Sequence, residues 1–267
     1  MTRTRRRVPP VAIALAAVGA ALFMLPLVGL LQRAPWSDLW DDLTTQQARD
    51  AIRLSVVCSL WATALSVVFG VPLAWVLARM RFPGRSLLRA LVVLPMVLPP
   101  VVGGVALLYT FQRNGGLVGE WLYDWFGVQF TFSTSGAVLA ETFVAMPFLV
   151  ITVEAGLRTM DVRYEDAAAT LGAGRWTVFR RVTLPLVAPA LYAGAALAWA
   201  RALGEFGATI TFAGNIQGRT QTTPLAVYLF LENQPGVAIA LSLVLLAVSV
   251  VVLVALRDRW FGGLRDA

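Results

Sequence analysis

Six stretches of this chain are long and apolar enough to cross a lipid bilayer as helices. A spanning helix needs about 20 apolar residues, because about 30 Å of hydrocarbon is crossed at about 1.5 Å per residue. None of the stretches has the single polar face of a helix in a soluble bundle. Because a backbone in lipid must satisfy its own hydrogen bonds, the sequence predicts an all-α polytopic membrane protein with six transmembrane helices. The predicted spans are Val11–Leu31, Leu54–Ala78, Leu87–Phe111, Gly136–Leu157, Pro189–Ala213 and Val237–Leu256.

The composition agrees with a membrane protein and excludes several kinds of active site. Of the 267 residues, 58% are hydrophobic and 14% are charged, which sets the chain apart from water-soluble enzymes. There is no His, and the one cysteine, Cys58, can form neither an internal disulfide nor a cysteine-rich zinc site. All 22 basic residues are Arg, so the lysine of a P-loop is missing. We therefore expect no catalytic residue, metal or cofactor in this chain, and a separate subunit must hydrolyse any ATP.

The arginines predict the orientation of the spans. Sixteen of them lie in the N-terminal segment, the second loop, the fourth loop and the C-terminal tail, and only five lie in the alternate loops. The positive-inside rule therefore places both termini in the cytoplasm, and it explains the net charge of +7 better than a nucleic-acid site would. The sixteen are Arg3, Arg5, Arg6, Arg7, Arg79, Arg81, Arg85, Arg89, Arg158, Arg163, Arg175, Arg180, Arg181, Arg257, Arg259 and Arg265.

The basic N-terminus followed by Val11–Leu31 also fits a cleaved signal peptide. However, 21 residues is long for the apolar part of a signal peptide, and no small-residue cleavage site precedes the next polar loop. We therefore expect a retained first span over residues 11–31, within a single transmembrane domain over residues 1–267.

The third span contains prolines and glycines that predict a kink or a break. Pro95, Pro99 and Pro100 each remove a backbone donor and clash with the preceding turn, and Gly103 and Gly104 add conformational freedom. An interrupted helix is tolerated at membrane depth only inside protein or beside a water-filled cavity. The break is therefore interpreted either as part of a transport pathway or as a packing kink.

Four ionisable residues lie in or near the spans. Glu154 is four residues before Arg158, which predicts a local ion pair, and Glu141 lies near the outer end of its span, where we expect it to be hydrated. Arg201 and Glu205 are also four residues apart, about 18 and 24 Å into the span when counted from its first residue. We expect these two to neutralise each other on one helix face, which lines either a pathway or a packing interface.

The fourth loop, residues 161–185, predicts two short helices joined by a glycine hinge. An Ala-rich segment favours helix before Gly172 and Gly174, and a second helix is expected from Arg175 to Thr183, ending before Pro185. The second helix combines aromatic residues with arginines, which is typical of a protein contact but also of a helix that lies against lipid headgroups.

This loop resembles the cytoplasmic EAA signature of permease subunits of ATP-binding-cassette importers. That signature is Glu-Ala-Ala, three residues, Gly, nine residues, Ile, any residue, and Leu-Pro. Every spacing is kept here, with Asp for Glu and Val for Ile. The resemblance implies a type I importer permease fold, in which residues 161–185 form coupling helices between spans 4 and 5 that dock on an ATPase subunit. The matching residues are Asp166, Ala167, Ala168, Gly172, Val182, Leu184 and Pro185.

A second resemblance concerns the substrate and covers about residues 50–260, the permease core. The segment Arg201–Tyr228, with its Gly-Glu-Phe-Gly core, and the segment Leu94–Gly104 are similar to molybdate-type permease subunits. Sulfate and thiosulfate permeases share the same core, so they remain the alternative, and tungstate would accompany molybdate. The candidate pathway or gate residues are Arg201, Glu205, Phe206, Pro99 and Pro100.

The resemblance also implies partners. They are two cytoplasmic ATP-binding-cassette ATPase subunits that carry ATP and Mg²⁺, a second permease that is either a copy of this chain or a related chain, and an extracytoplasmic oxyanion-binding protein, all at a bacterial cell membrane. No nucleic acid is expected. A secondary transporter is a less favoured alternative, because the chain shows no convincing internal repeat and few groups that could bind a coupling ion. A membrane enzyme is disfavoured by the lack of His, Lys and paired carboxylates.

Overall fold

The computed structural model describes residues 9–261, and side chains as far as residue 256. Every regular element in this range is helical. Of the arginines that predict the orientation, Arg3, Arg5, Arg6, Arg7 and Arg265 lie outside the described residues, as do the side chains of Arg257 and Arg259. The helices are α1 Pro10–Gln32, α2 Leu39–Thr44, α3 Gln46–Arg79, α4 Arg85–Val97, α5 Pro100–Phe111, α6 Gly119–Phe126, α7 Thr134–Thr159, α8 Arg163–Thr170, α9 Arg175–Val178, a π-helical turn Phe179–Thr183, α10 Leu184–Leu203, α11 Gly207–Phe212, α12 Thr223–Asn233 and α13 Pro235–Phe261.

Five of the described helices are long and apolar enough to cross a membrane. They are α1, α3, α7, α13 and the continuous helix Arg175–Leu203, which consists of α9, the π-helical turn and α10. The pair α4 and α5 is bent by 117° at its break and makes a sixth span if it is counted as one. The prediction of an all-helical protein with six spans is therefore confirmed.

Helix α7 lies at the centre of the described bundle, between α3 and α10. It buries thirteen residues, and small residues on its neighbours allow the backbones to approach closely. A Cβ on Gly70 of α3 would lie 3.0 Å from the Leu149 side chain, and one on Gly194 of α10 would lie 3.3 Å from the Leu149 backbone. Close contact between helices in lipid depends on packing of this kind, because lipid tails are as apolar as the side chains.

The predicted bounds of the fifth span were wrong. The predicted second loop helix does not end before Pro185 but continues through it to Leu203, and α11 is a separate short helix after a break. The physical reason lies in the π-helical turn, where the N–H of Leu184 donates to the carbonyl of Phe179, five residues earlier. This wider turn accommodates the proline, which has no N–H and would otherwise clash with the preceding turn.

The ends of the spans differ in charge. The C-terminal ends of α3 and α7, the N-terminal end of α4 and the hairpin of α8 and α9 lie together, and we call this region the arginine-rich end. Arg89 of α4 pairs there with Glu154 of α7, and the guanidinium of Arg85 bonds to the carbonyl of Leu77. Glu154 also pairs with Arg158 at 2.9 Å, as predicted, so two arginines share one buried carboxylate.

The close approach of α7 and α10 can be tested at Gly156. A Cβ there would lie 2.5 Å from the Cβ of Ala190, so Gly156→Val should lower the free energy of unfolding by about 1–3 kcal/mol through overpacking. The measurement is the thermal unfolding midpoint in detergent. Gly29→Val in α1 is the control, because no atom lies within 4 Å of the position that its Cβ would take. Equal unfolding midpoints for the two variants would contradict this packing.

Candidate functional site

A broken span and the break that follows another span face each other within the bundle. The first break lies at Leu98 and Pro99, between α4 and α5, and the second lies at 204–206, between α10 and α11. Helices α5 and α11 are in close contact, because a Cβ on Gly207 would lie 2.8 Å from the Cβ of Pro100. A Cβ on Gly104 would likewise lie 2.8 Å from the carbonyl oxygen of Ala208. The predicted break of the third span is confirmed, and it meets a second break that the sequence did not predict.

Glu205 organises the break between α10 and α11. One carboxylate oxygen accepts a hydrogen bond from the backbone N–H of Ala208 at 2.7 Å, in the first turn of α11. The other oxygen pairs with Arg201 at 2.5 Å. The Glu205 side chain is 1% exposed and that of Arg201 is 26% exposed, so a nearly buried carboxylate is satisfied by its neighbours in the chain. The predicted pair between Arg201 and Glu205 is therefore present.

The predicted depths of this pair were wrong, because they assumed a helix that starts at Pro189. Arg201 lies in the last turn of a helix that starts at Arg175, and Glu205 lies in the break that follows it. Since Arg201 is held by Glu205, its positive charge is already balanced. This end of α10 is therefore not a built site for a free anion.

Glu141 is buried, which contradicts the prediction that it is hydrated. The residue is 1% exposed on α7 and lies near Glu205 and near Cys58 of α3. One of its carboxylate oxygens has no hydrogen-bond partner among the described residues, and the same is true of the Thr209 hydroxyl on α11. The prediction failed because Glu141 is covered by α3 and α11, which are distant in sequence.

At the arginine-rich end, α8 and α9 form the expected hairpin around a glycine turn. Gly172 has φ of +84°, in the left-handed region that favours glycine, whereas Gly174 has an ordinary φ of −66°. The Gly172 N–H donates to the Ala169 carbonyl and the Ala173 N–H to the Ala168 carbonyl, which is the Schellman pattern that ends a helix. The predicted turn between the two short helices is thus present, with Gly172 as its left-handed residue.

The structure places the residues of the predicted coupling motif on both sides of this turn. Asp166, Ala167 and Ala168 lie on α8, which has no buried residue, and Leu184 and Pro185 start α10. The hairpin therefore presents α8 to the surroundings while its second arm continues into a membrane span.

Beyond the turn, the second arm of the hairpin carries an aromatic pair, of which Trp176 is exposed and Phe179 is half-buried. The rings of Trp176 and Phe179 stack with centroids 5.6 Å apart, and Trp176 is 71% exposed.

One hydrogen bond and one ion pair join α8 to the membrane helices, and neither was predicted from the sequence. The Thr183 hydroxyl donates to one oxygen of Glu165 at 2.7 Å, and Arg79 lies 3.5 Å from the other oxygen. The spacing of residues along the chain does not indicate these contacts, because Thr183 and Arg79 lie 18 and 86 positions from Glu165.

Within residues 9–256, no group of three or more His, Cys, Asp or Glu residues is arranged to hold a metal ion.

Comparisons with known proteins agree on one family. The family model described as "Binding-protein-dependent transport system inner membrane component" matches residues 70–262. The molybdenum transport system permease protein ModB of Mycobacterium tuberculosis is 48% identical over 244 residues, which cover 91% of this chain and 92% of that protein. The protein of the same name from Escherichia coli is 44% identical over 218 residues, covering 82% and 95%.

A sulfate permease and a solved ABC transporter structure are similar to this chain at lower identity. The sulfate transport system permease protein CysT of Escherichia coli is 40% identical over 241 residues, which cover 88% of this chain and 86% of that protein. Among solved structures, a bacterial ABC transporter involved in the import of the acidic polysaccharide alginate has a chain that is 20% identical, with a TM-score of 0.70 and coverage of 91% and 92%. At this identity, the structural match supports the fold alone.

The buried ion pair at the second break can be tested by a double-mutant cycle. Arg201→Gln leaves the Glu205 carboxylate buried and unpaired, and Glu205→Gln leaves Arg201 without its partner but keeps an acceptor for Ala208. Each single variant should lower the free energy of unfolding by about 3 kcal/mol, and the double variant should lose less than the sum. The measurement is unfolding in detergent.

Arg158→Gln is the matched control, because Glu154 keeps Arg89 as a second partner and the loss should be smaller. Strictly additive effects of Arg201→Gln and Glu205→Gln would refute a direct interaction between the two side chains.

Proposed function

The chain belongs to the family of inner membrane components of binding-protein-dependent transport systems, and we propose that it forms the translocation pathway of an ATP-driven molybdate importer. The family match covers residues 70–262, and the chain is a multi-pass membrane protein with an ABC importer permease fold. The proposal of molybdate as the substrate rests on the sequence identity of 44–48% to molybdenum permeases over most of the chain. Tungstate is a second expected substrate, because it is also a tetrahedral dianion of similar size.

The site geometry supports a pathway that has no tight internal anion site. The charge of Arg201 is balanced by Glu205, and Glu141 adds a further carboxylate nearby. These three side chains therefore offer a dianion no unpaired positive charge. Selection of the oxyanion is therefore assigned to a separate extracytoplasmic binding protein, and the permease needs only to let the anion pass.

The two facing breaks are the proposed position of the pathway and gate. Irregular backbone at membrane depth is tolerated where it is buried in protein or lines a cavity. The candidates remain Pro99 and Pro100 at the first break and Arg201, Glu205 and Phe206 at the second. We assign a second copy of this chain to the other half of the pathway, related by a two-fold axis along the membrane normal.

The arginine-rich end is the proposed cytoplasmic side. This assignment follows the positive-inside rule and places both termini in the cytoplasm. The hairpin of α8 and α9 then faces the cytoplasm, where one of two ATPase subunits would dock on it, and the ATPase subunits would supply ATP and Mg²⁺. The chain itself is not an enzyme in this proposal, since its motif residues Asp166, Ala167, Ala168 and Gly172 serve coupling and it binds no cofactor.

The second candidate is a sulfate or thiosulfate permease of the same family. The identity of 40% to the sulfate permease CysT over 88% of the chain favours this candidate over a secondary transporter or a membrane enzyme. Sulfate is also a tetrahedral dianion, so the molybdate and sulfate candidates differ in the substrate and not in the mechanism of transport.

Uptake of labelled molybdate tests the substrate. Cells that carry this chain, its ATPase and its binding protein should take up molybdate, and cells that lack only this chain should not. Tungstate should compete for uptake, whereas excess sulfate should not. Effective competition by sulfate, or loss of sulfate uptake without the chain, would instead assign it to the sulfate type. If the uptake of neither anion depends on the chain, the substrate assignment is wrong.

The coupling role of the hairpin is tested by two alanine substitutions in its turn. A Cβ added to Gly172 or to Gly174 would point into open space, so only the backbone angle distinguishes the two positions. Gly172→Ala places a side chain at a φ of +84°, which costs about 1–2 kcal/mol, and it should lower ATP-dependent uptake while membrane insertion stays normal. Gly174→Ala should transport normally. Wild-type uptake by both variants would contradict the assignment of this turn.

A further inference from the structure

The α8 arm of the hairpin is anchored through one carboxylate. No residue of α8 is buried, so apolar packing contributes little to its position. Glu165 is the α8 side chain that bonds to the membrane helices, and each of its two oxygens contacts a different helix. The side chain is 20% exposed, which keeps the contacts largely shielded from water.

The first contact reaches the end of α3. Arg79 is the last residue of this 34-residue helix, and its Nη2 lies 3.5 Å from Oε2 of Glu165. The Arg79 side chain is 17% exposed, and its Nε and Nη2 atoms have no hydrogen-bond partner among the described residues. Glu165 is therefore the carboxylate that balances this partly buried charge.

The second contact reaches the π-helical turn. Thr183 is 2% exposed and is the last residue of that turn, and its hydroxyl donates to Oε1 of Glu165 at 2.7 Å. A π-helical turn is a local departure from α-helical hydrogen bonding, and such turns occur mostly at functional positions. A displacement of Glu165 would therefore move the span Arg175–Leu203 at its π-helical turn, through the hydrogen bond to Thr183.

We propose that Glu165 is the positioning residue that transmits movement of the coupling hairpin to α3 and to the span containing the π-helical turn. This inference rests on the proposed function, since it assumes that an ATPase moves α8. Short linkers already join α8 to α7 and α9 along the chain, and the Glu165 carboxylate adds a direct link from α8 to α3 and to the π-helical turn. A conformational switch requires a structural element that can take up two arrangements. In this proposal that element is the hairpin together with the end of α3 and the π-helical turn.

The test uses the full complex in liposomes, with its ATPase subunits and with the binding protein loaded with either molybdate or sulfate. The readout is the stimulation of ATP hydrolysis by the loaded binding protein, because that signal must pass through the permease to reach the ATPase subunits. Glu165→Ala should retain the ATPase subunits and basal hydrolysis but lose most of the stimulation. Glu165→Gln should lose less, because its amide oxygen still accepts from Thr183.

A matched pair at Thr183 separates coupling from folding. Thr183→Val removes the hydroxyl and keeps the shape, and it should reduce stimulation. Thr183→Ser keeps the hydroxyl and should behave as the wild type. A purely structural role would change the amount of assembled complex and basal hydrolysis together, and would leave the ratio of stimulated to basal hydrolysis unchanged.

The outcomes distinguish this inference from the proposed function. Wild-type stimulation in both Glu165→Ala and Thr183→Val would overturn the role of Glu165 alone. Loss of the ATPase subunits from an otherwise folded Glu165→Ala complex would also overturn it, because the residue would then serve docking. If the wild-type complex shows neither stimulation nor uptake with either anion, the proposed function is wrong and the inference falls with it.

Discussion

A backbone inside a bilayer has no water to bond to, and the arrangement of this protein depends on that constraint. Unbroken spans satisfy it within themselves, but the breaks at 98–99 and 204–206 leave backbone groups that must be shielded by protein. The structure places the two breaks against each other, beside α7, where small residues permit close contact. The Glu205 carboxylate accepts a hydrogen bond from the backbone N–H of Ala208 in the first turn of α11. This charged side chain therefore satisfies a backbone donor that the break would otherwise leave without a partner.

Several features followed from local sequence alone. The run Pro95, Pro99 and Pro100 predicted a broken third span, and a glycine was needed at position 172 because the chain turns there with a positive φ. The pair of Arg201 and Glu205 followed from a spacing of four residues, which places two side chains on one helix face. These predictions succeeded because each depends on residues within one or two helical turns.

The features that could not be predicted from the sequence all depend on contacts between distant segments. Pro185 was expected to end a helix, but a π-helical turn carries the helix through it. Glu141 was expected to meet water, but α3 and α11 cover it. The bonds of Glu165 to Arg79 and Thr183 join residues that no periodicity relates, since their geometry is set only when the hairpin folds back on the bundle.

The contact between α5 and α11 limits how the protein can change shape. An added Cβ on Gly104 would lie 2.8 Å from the Ala208 carbonyl oxygen, and one on Gly207 would lie 2.8 Å from the Pro100 Cβ, so the two helices have no spare room between them. We therefore expect the two short helices to move as one unit, because sliding one along the other would bring closely packed backbone atoms into collision.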